Sequence, residues 1–399
     1  MNKNLLIILG AAAVLTVACS KKHAPEQPQA PVIEQEEWVL NESLPVPITI
    51  GQQTLDAALT KAAPITDVNI DGTLFGVFGV DLAGEAAWSE TAEQVLLYDK
   101  YAKFADNKMQ FVEAAGDVTY YYPLITRFNY TFYGFHTSSE TDFTAYKNDF
   151  NGTFEGDALY TEIPLGRTDI LWAKASATDI TGKLKEEDAE DTTLKGFNAR
   201  YARYSRRWYP ATYTDYQPLL TYQHLTSALH FFAVAEDEDA YNSFFKDGEP
   251  MVTIKNLSVI GIPTTGKLCI ASKSGEGEGT LEALAPATAS DSLKMHNLAG
   301  ATDDLGIVPT TGAGAEIGEG MFIIPQDAAG IEVSFTLTSP NGDVYFKNSI
   351  PVPQGGSFEA GKFYNFKILV RSLEEIVINA DLSGWNQGSF DDNQVADIG

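Results

Sequence analysis

Cysteine is nearly missing from this chain: two residues in 399, Cys19 and Cys269. Two are too few for a disulfide scaffold or a thiolate metal site. Basic residues are scarce as well, 27 Lys+Arg against 54 Asp+Glu, giving a formal net charge of −27. That balance excludes nucleic acid as a partner, because every phosphate contact would work against the overall field. It also excludes docking on anionic lipid through surface charge. Histidine is limited to His23, His136, His224, His230 and His296. His224 and His230, six apart on a strand-like run, share a face but lie roughly 20 Å apart at strand rise, too far to share a metal. No Gly-x-Ser-x-Gly elbow occurs, and no spacing singles out a nucleophile–base pair or a pair of carboxylates. The sequence therefore assigns no catalytic residue, no metal and no cofactor, and the expected class is non-enzymatic.

Three local features resemble ligand sites without meeting their requirements. The acidic runs Glu186-Glu187-Asp188 and Glu236-Asp237-Glu238-Asp239 lack the alternating spacing, central Gly and distal Glu of a calcium loop, and read as solvated loops. Glycines at 312, 314, 318 and 320 fit neither the dinucleotide fingerprint nor the P-loop, and read as a loop before a strand starting at Met321. Cys269, in Lys267-Leu268-Cys269-Ile270, reads as a buried small hydrophobe.

What is present is a globular composition, 44% apolar, 11% aromatic and 20% charged. It is too apolar for a disordered acidic tail and long enough for two domains. Residues 1–18 read as a signal peptide, with Lys3 in the n-region, an apolar stretch from Leu5 to Val17, and Ala18 before Cys19. The apolar stretch is too short to span a bilayer as a mature helix. Leu15-Thr16-Val17-Ala18-Cys19-Ser20 resembles a bacterial lipobox, with Thr16 where Leu is usual, so Cys19 is the expected site of lipid (palmitate) attachment. Residues 19–40 then form the lipidated cysteine and a flexible tether carrying Pro25, Pro28 and Pro31. No later segment is apolar for long enough to cross a membrane as a helix.

The rest reads as strands and turns. In Ile331 to Thr338 apolar residues fall at every second position, and Ser339-Pro340-Asn341-Gly342-Asp343 carries hairpin turn chemistry into Val344 to Phe346. Only Ser89 to Phe104 suggests a long helix, with Ser89 as cap and Val95, Leu96 and Tyr98 as packing residues. A charged stretch at 181–215 is the expected interdomain segment, separating an N-terminal β-sandwich at 41–180 from a C-terminal one at 216–399 with a polar tail. Within it, Arg200 to Tyr209 concentrates four of the seven arginines among aromatics. Two readings stand side by side. Arg203, Arg206, Arg207, Trp208 and Tyr209 form a candidate surface-binding patch, or the arginines pair with the chain's surplus carboxylates.

Several stretches together resemble the fimbrillin-like family of type V pilins, the lipoprotein-derived fimbrial subunits of Bacteroidales-type bacteria. They are Ile48-Thr49-Ile50, Leu59-Thr60-Lys61-Ala62, Gly76-Val77-Phe78, Asp169 to Ala173, Gln223-His224-Leu225 to Phe231, Phe322 to Gln326, and Ala360 to Leu369 followed by Ile376 to Leu382 and Trp385. The resemblance implies an all-β fold of two transthyretin-like antiparallel β-sandwich domains in tandem. It implies a non-catalytic fimbrial (pilus) subunit, or an accessory or tip pilin, exported as a lipoprotein for surface adhesion. The expected locations are the cell outer membrane, held by lipid on Cys19 before processing, and the cell-surface fimbrium. Family members are cut by a trypsin-like protease, which releases the first strand and opens a groove for a strand from another pilin subunit. No arginine lies between Cys19 and Thr126 and the matching processing position is Lys61, so either a Lys-tolerant protease cuts there, with Ala62 as the new N-terminus, or the chain stays uncut and lipid-anchored as an anchor or accessory subunit. Residues 386–399 are largely polar and lack the alternation of a donor strand, which keeps a tip or accessory role beside the stalk role. A host or bacterial surface ligand is the further expected partner. The alternative is a monomeric lipid-anchored binder of glycan or peptide, using aromatics between Tyr201 and Tyr216.

Overall fold

Period-two patterning becomes paired strand at many points along the described chain. The stretch read as Ile331 to Thr338 forms Glu332–Ser339, with Val333, Phe335 and Leu337 buried. It turns through Pro340 and Asn341 into Gly342–Ser349, with Ser339 opposite Gly342. Gly342 takes a φ of 110°, a conformation open to glycine at no steric cost. The computed structural model describes residues 36–53, 65, 70–105, 108–124, 127–176, 184–296, 306–353, 356–371 and 376–384. All of them lie in the unit Glu36–Gly399. The chain is an all-β protein with a few short helices.

One nine-stranded sheet dominates the first half. Its order is Leu219–Thr221, Ile50–Gln53, Lys108–Glu113, Val95–Ala105, Leu74–Asp81, Tyr130–His136, Leu171–Ala175 and Gln223–His224, with Gly116–Asp117 added on Lys108–Glu113. The two outermost strands are separated in sequence by Tyr222 alone. The sheet therefore curls until its edges meet at one residue. Inside the curl lies a core containing Phe75, Phe111, Tyr130, Phe132 and Leu220.

A four-stranded sheet covers the other face. It contains Gly152–Glu155 and Ala158–Pro164 from one side of the charged 181–215 segment, and Thr265–Ser272 and Leu281–Ala283 from the other. Leu159, Ile163, Leu268 and Ile270 from this sheet bury Phe78, Val80 and Tyr133. Beyond it, two more sheets enclose one core. The first pairs Ser227–Ala235 in parallel with Lys362–Val370 and continues to Ile376–Gly384. The second runs Ser292–Lys294, Thr253–Ile260, Glu332–Ser339, Gly342–Ser349. Phe231, Phe366, Val259 and Phe335 are all fully buried between them.

The helix expected from Ser89 to Phe104 does not form. Val95–Ala105 is a strand pairing with both Leu74–Asp81 and Lys108–Glu113. Two register shifts, between Val77/Gly79 and Gly79/Val80, break its alternation, and Asp99 takes a φ of 50°. Each extra residue flips the following side chains to the other face, so the apolar positions drift out of period two and imitate a helix. The acidic run at 236–239 also departs from a plain loop: Asp237 caps a short helix, Glu238–Ser243, by accepting from Ala240 N. In the glycine-rich stretch, Ala315–Glu316 pairs with Phe232 and Ala233. Cys269 is buried, its Sγ directed at the Ala271 carbonyl, and burial pushes its thiol pKa up.

Candidate functional site

The N-terminal segment of the described chain lies in a slot between elements far from it in sequence. From Val46 to Ile50, Val46, Ile48 and Ile50 point inward and are buried, while Pro47 and Thr49 are half-exposed. This alternation places every second residue in the core that holds Phe111, Tyr122, Tyr201 and Leu220. Val46 and Pro47 pair with Tyr122 and Tyr121, and Ile48 N donates to the Tyr120 carbonyl at 2.8 Å. Ile50–Gln53 then enters the main sheet, antiparallel to Lys108–Glu113 on one side and parallel to Leu219–Thr221 on the other. Burial of each of these apolar side chains stabilises the insertion by about 1.5–3 kcal/mol.

A helix grips the same segment from outside. Ala199–Trp208 starts at Asn198, whose Oδ1 accepts from Tyr201 N at 2.9 Å. It buries Ala199, Tyr201, Ala202 and Ser205 as one face, and Arg206 and Arg207 stand in its last turn, where the helix dipole favours cations. Arg203 Nε donates to the Trp38 carbonyl at 3.0 Å, and its Nη2 donates to the carbonyls of Glu42 at 3.0 Å and Leu44 at 2.6 Å. Partial burial lowers the Arg203 pKa from its ordinary value, with the Glu42 carboxylate acting in the opposite direction. Arg206 pairs with Glu36 at 3.0 Å and lies over the Tyr213 ring.

The five residues of the candidate binding patch therefore divide. Arg203 and Arg206 face the N-terminal segment of their own chain. Arg207 and Lys185 flank the Trp208 indole, Lys185 Nζ lying 3.3 Å from the ring centre. Trp208 keeps 48% of its surface exposed. Tyr209 stacks on Tyr216 with ring centres 4.3 Å apart. Tyr201 and Tyr213, which belong to the aromatic group proposed as a ligand platform, are buried.

Beyond residues 54–64, which lie outside the described chain, a second anchor appears. Ile65 N donates to Asp169 Oδ2 at 2.9 Å. Asp169 is buried, with His224 Nδ1 3.0 Å from each of its oxygens and Thr226 Oγ1 at 3.3 Å. Ile65 and Asp169 line a recess of about 190 Å³ with Leu74, His136, Glu140 and Arg167. Asp169 and His224 stand in separate sequence motifs; their contact is a product of the sheet, which sets Leu171 opposite His224. Cys19, Lys61, Ala62 and His23 lie outside the described residues. His136 and His230 are buried, bonded to the Leu74 carbonyl and the Glu316 carboxylate. His296 Nδ1 lies 2.6 Å from Arg167 Nη2. Among the described residues no three His, Cys, Asp or Glu side chains come together as a metal site.

No protein-family model and no curated protein matches the chain. Solved structures do. A "putative cell adhesion protein" from Bacteroides uniformis is similar at 14% identity and a TM-score of 0.47, over 86% of this chain and 99% of that one. A fimbrial protein from Bacteroides vulgatus is similar at 8% identity and a TM-score of 0.44, over 85% and 99%. The tip fimbrial protein Mfa3 from Porphyromonas gingivalis is similar at 9% identity and a TM-score of 0.37, over 85% and 99%. The chain is similar to Bacteroidales fimbrial and cell adhesion proteins, in keeping with the fimbrillin-like resemblance of its sequence.

Proposed function

We propose that this chain is a non-catalytic fimbrial subunit, of stalk, accessory or tip type, assembled by β-strand addition for surface adhesion. The observation that carries this reading is the insertion of Ile50–Gln53 between Lys108–Glu113 and Leu219–Thr221. An inserted first strand is a removable one: its loss leaves two strands with open hydrogen-bonding edges and an apolar slot, the receptor required for a strand from another subunit. The fimbrillin-like motifs support it, since they place the processing position, Lys61, between that strand and Ile65. A cut there severs the segment held by Arg203, while Asp169 keeps the new N-terminal end at Ile65 in place.

In this reading residues 1–18 export the chain, and lipid on Cys19 holds it at the outer membrane until the cut after Lys61 frees it into a fimbrium. Two transthyretin-like sandwiches in tandem are the architecture it implies, and a host or bacterial surface molecule is the ligand of the finished fibre. The alternative, a monomeric lipid-anchored binder, draws less support, because Tyr201 and Tyr213 of its aromatic platform face inward.

Intact mass and N-terminal sequencing of protein taken from its own cell surface test the proposal. A chain beginning at Ala62, in assemblies larger than a monomer, is the expected result. A chain beginning at lipidated Cys19 in the surface-exposed pool would overturn cleavage and strand addition together.

A further inference from the structure

A sheet edge in the second half of the chain is long and regular. Gly342–Ser349 is the outermost strand of its four-stranded sheet, paired among the described residues on one side only, with Glu332–Ser339. The pairing runs without a register shift from Glu332↔Ser349 to Ser339↔Gly342. Edge strands are ordinarily blunted by bulges, prolines or several lysines. This strand has no bulge, no proline, and one lysine, Lys347, which pairs with Glu332 of its own sheet at 2.6 Å. Two large apolar side chains stand exposed on it, Val344 at 44% and Tyr345 at 64%.

The positions of these side chains matter more than their exposure. Directly opposite residues of an antiparallel pair share a face. Val344 lies opposite buried Leu337, and Phe346 lies opposite buried Phe335, on which it stacks at 5.4 Å. Val344 and Phe346 therefore sit on the core side, and at Val344 that apolar layer runs out into solvent. Tyr345 and Lys347 stand on the outer face.

The strand is also complementary to itself. In a two-fold interface the same segment meets its own copy, so residue i opposes j and j opposes i. Centred on Tyr345, an antiparallel pair of these strands sets Asp343 opposite Lys347 of the second copy, twice. It sets Val344 opposite Phe346, twice, and Tyr345 opposite Tyr345. Every exposed apolar group on the edge gains a neighbour, Asp343 gains an opposite charge, and Lys347, already paired with Glu332, gains a second carboxylate.

We propose that Gly342–Ser349 is a self-association surface, joining two copies of this chain edge to edge about Tyr345 into one continuous sheet. The surface is separate from the N-terminal slot, and it neither requires cleavage at Lys61 nor exchanges a strand. At physiological ionic strength the repulsion between two chains of net charge −27 is screened beyond about 8 Å, which leaves the local pairing to decide.

Disulfide trapping on the full chain tests it. Antiparallel partners bring Cα atoms within about 5.5 Å, inside disulfide range. Tyr345→Cys is expected to give a reducible dimer under mild oxidation, well above the level given by Thr336→Cys on the neighbouring strand or by Ser349→Cys off the centre. In the Tyr345→Cys background, Asp343→Lys sets like charges opposite each other and is expected to lower trapping about fivefold. Adding Lys347→Asp, with Glu332→Gln so that the new carboxylate meets no like charge in its own sheet, restores opposite pairs and is expected to bring the dimer back. Restoration by added substitutions separates the interface from a folding defect. Trapping of the Tyr345→Cys protein no greater than that of the two control variants, or trapping indifferent to both charge changes, overturns the proposal.

Discussion

Arg203 Nη2 donates to the main-chain carbonyl of Leu44 at 2.6 Å, closing a set of three such bonds from one guanidinium to the segment that precedes the first inserted strand. Arginine suits this task because its planar fork of donors reaches several acceptors at once, which an ammonium group cannot do with the same geometry. Arg203→Ala is therefore expected to loosen residues 36–53 and to cost about 2 kcal/mol, as three carbonyls lose a charged donor. Hydrogen exchange checks it: amides of Val46 to Gly51 should exchange faster, while those of Phe335 and Phe366 should not change. Unchanged protection of the first segment would show that the clasp adds nothing to the strand's own pairing.

A second prediction concerns acid. Burial pushes the His136 pKa below its ordinary value, with the Leu74 carbonyl bond and the Asp169 charge pulling weakly the other way. The neutral ring is the folded form, so its contribution to stability is full above about pH 6.5 and is lost as pH falls through the depressed folded value. Thermal midpoints should fall between pH 7 and pH 5. In His136→Gln, which keeps a donor for Leu74, this part of the decline should be absent. An equal decline in both proteins would place the acid sensitivity elsewhere.

Glu278 ties together parts of the chain that lie far apart in sequence. It accepts from Lys174 Nζ at 2.5 Å, Tyr133 Oη at 2.6 Å and Ser272 N at 3.1 Å, and its side chain is 6% exposed. Glu278→Gln keeps the shape but removes the charge that draws Lys174, with an expected loss of about 2 kcal/mol, tempered by the partial exposure of Lys174. Urea unfolding of the two proteins measures it, and a difference below about 0.5 kcal/mol would contradict the assignment.

Gly134→Ala tests the seam where the main sheet meets itself. A Cβ at this position would meet the Tyr222 hydroxyl and come within 2.8 Å of Leu220 Cδ1, in a strand that is buried throughout. Overpacking of this kind costs about 1–3 kcal/mol. Because Leu220 lies in the strand beside Ile50–Gln53, faster exchange at Gly51 should accompany the loss.

Much of the architecture is legible wherever one face of a strand meets water. Glu332–Ser339 and its hairpin show alternation, turn residues and register all in agreement. Val95–Ala105 defeats the same reading because its register shifts erase the period on which such reading depends. The helix Ala199–Trp208 shows in the sequence only as a basic cluster, since its buried face, Ala199, Tyr201, Ala202 and Ser205, holds no aliphatic residue larger than alanine and arginines crowd the rest. The slot is half legible: Ile48 and Ile50 announce a strand, but nothing local shows that the partner of Gly51 is Leu219. The grip of Arg203 on main-chain carbonyls is not legible at all, because a carbonyl acceptor leaves no trace in residue identity.

The parallel pairs also set an order in time. Ile50–Gln53 is complete only when Leu219–Thr221 has been made, and Ala228 waits for Phe363. Pairings so distant in sequence must meet the cost of closing long loops before any contact rewards them, which slows folding. During synthesis Leu74–Asp81, Val95–Ala105 and Lys108–Glu113 meet early as sequence neighbours, whereas Ile50–Gln53 keeps one hydrogen-bonding edge open until the strand about 170 residues further on has been made.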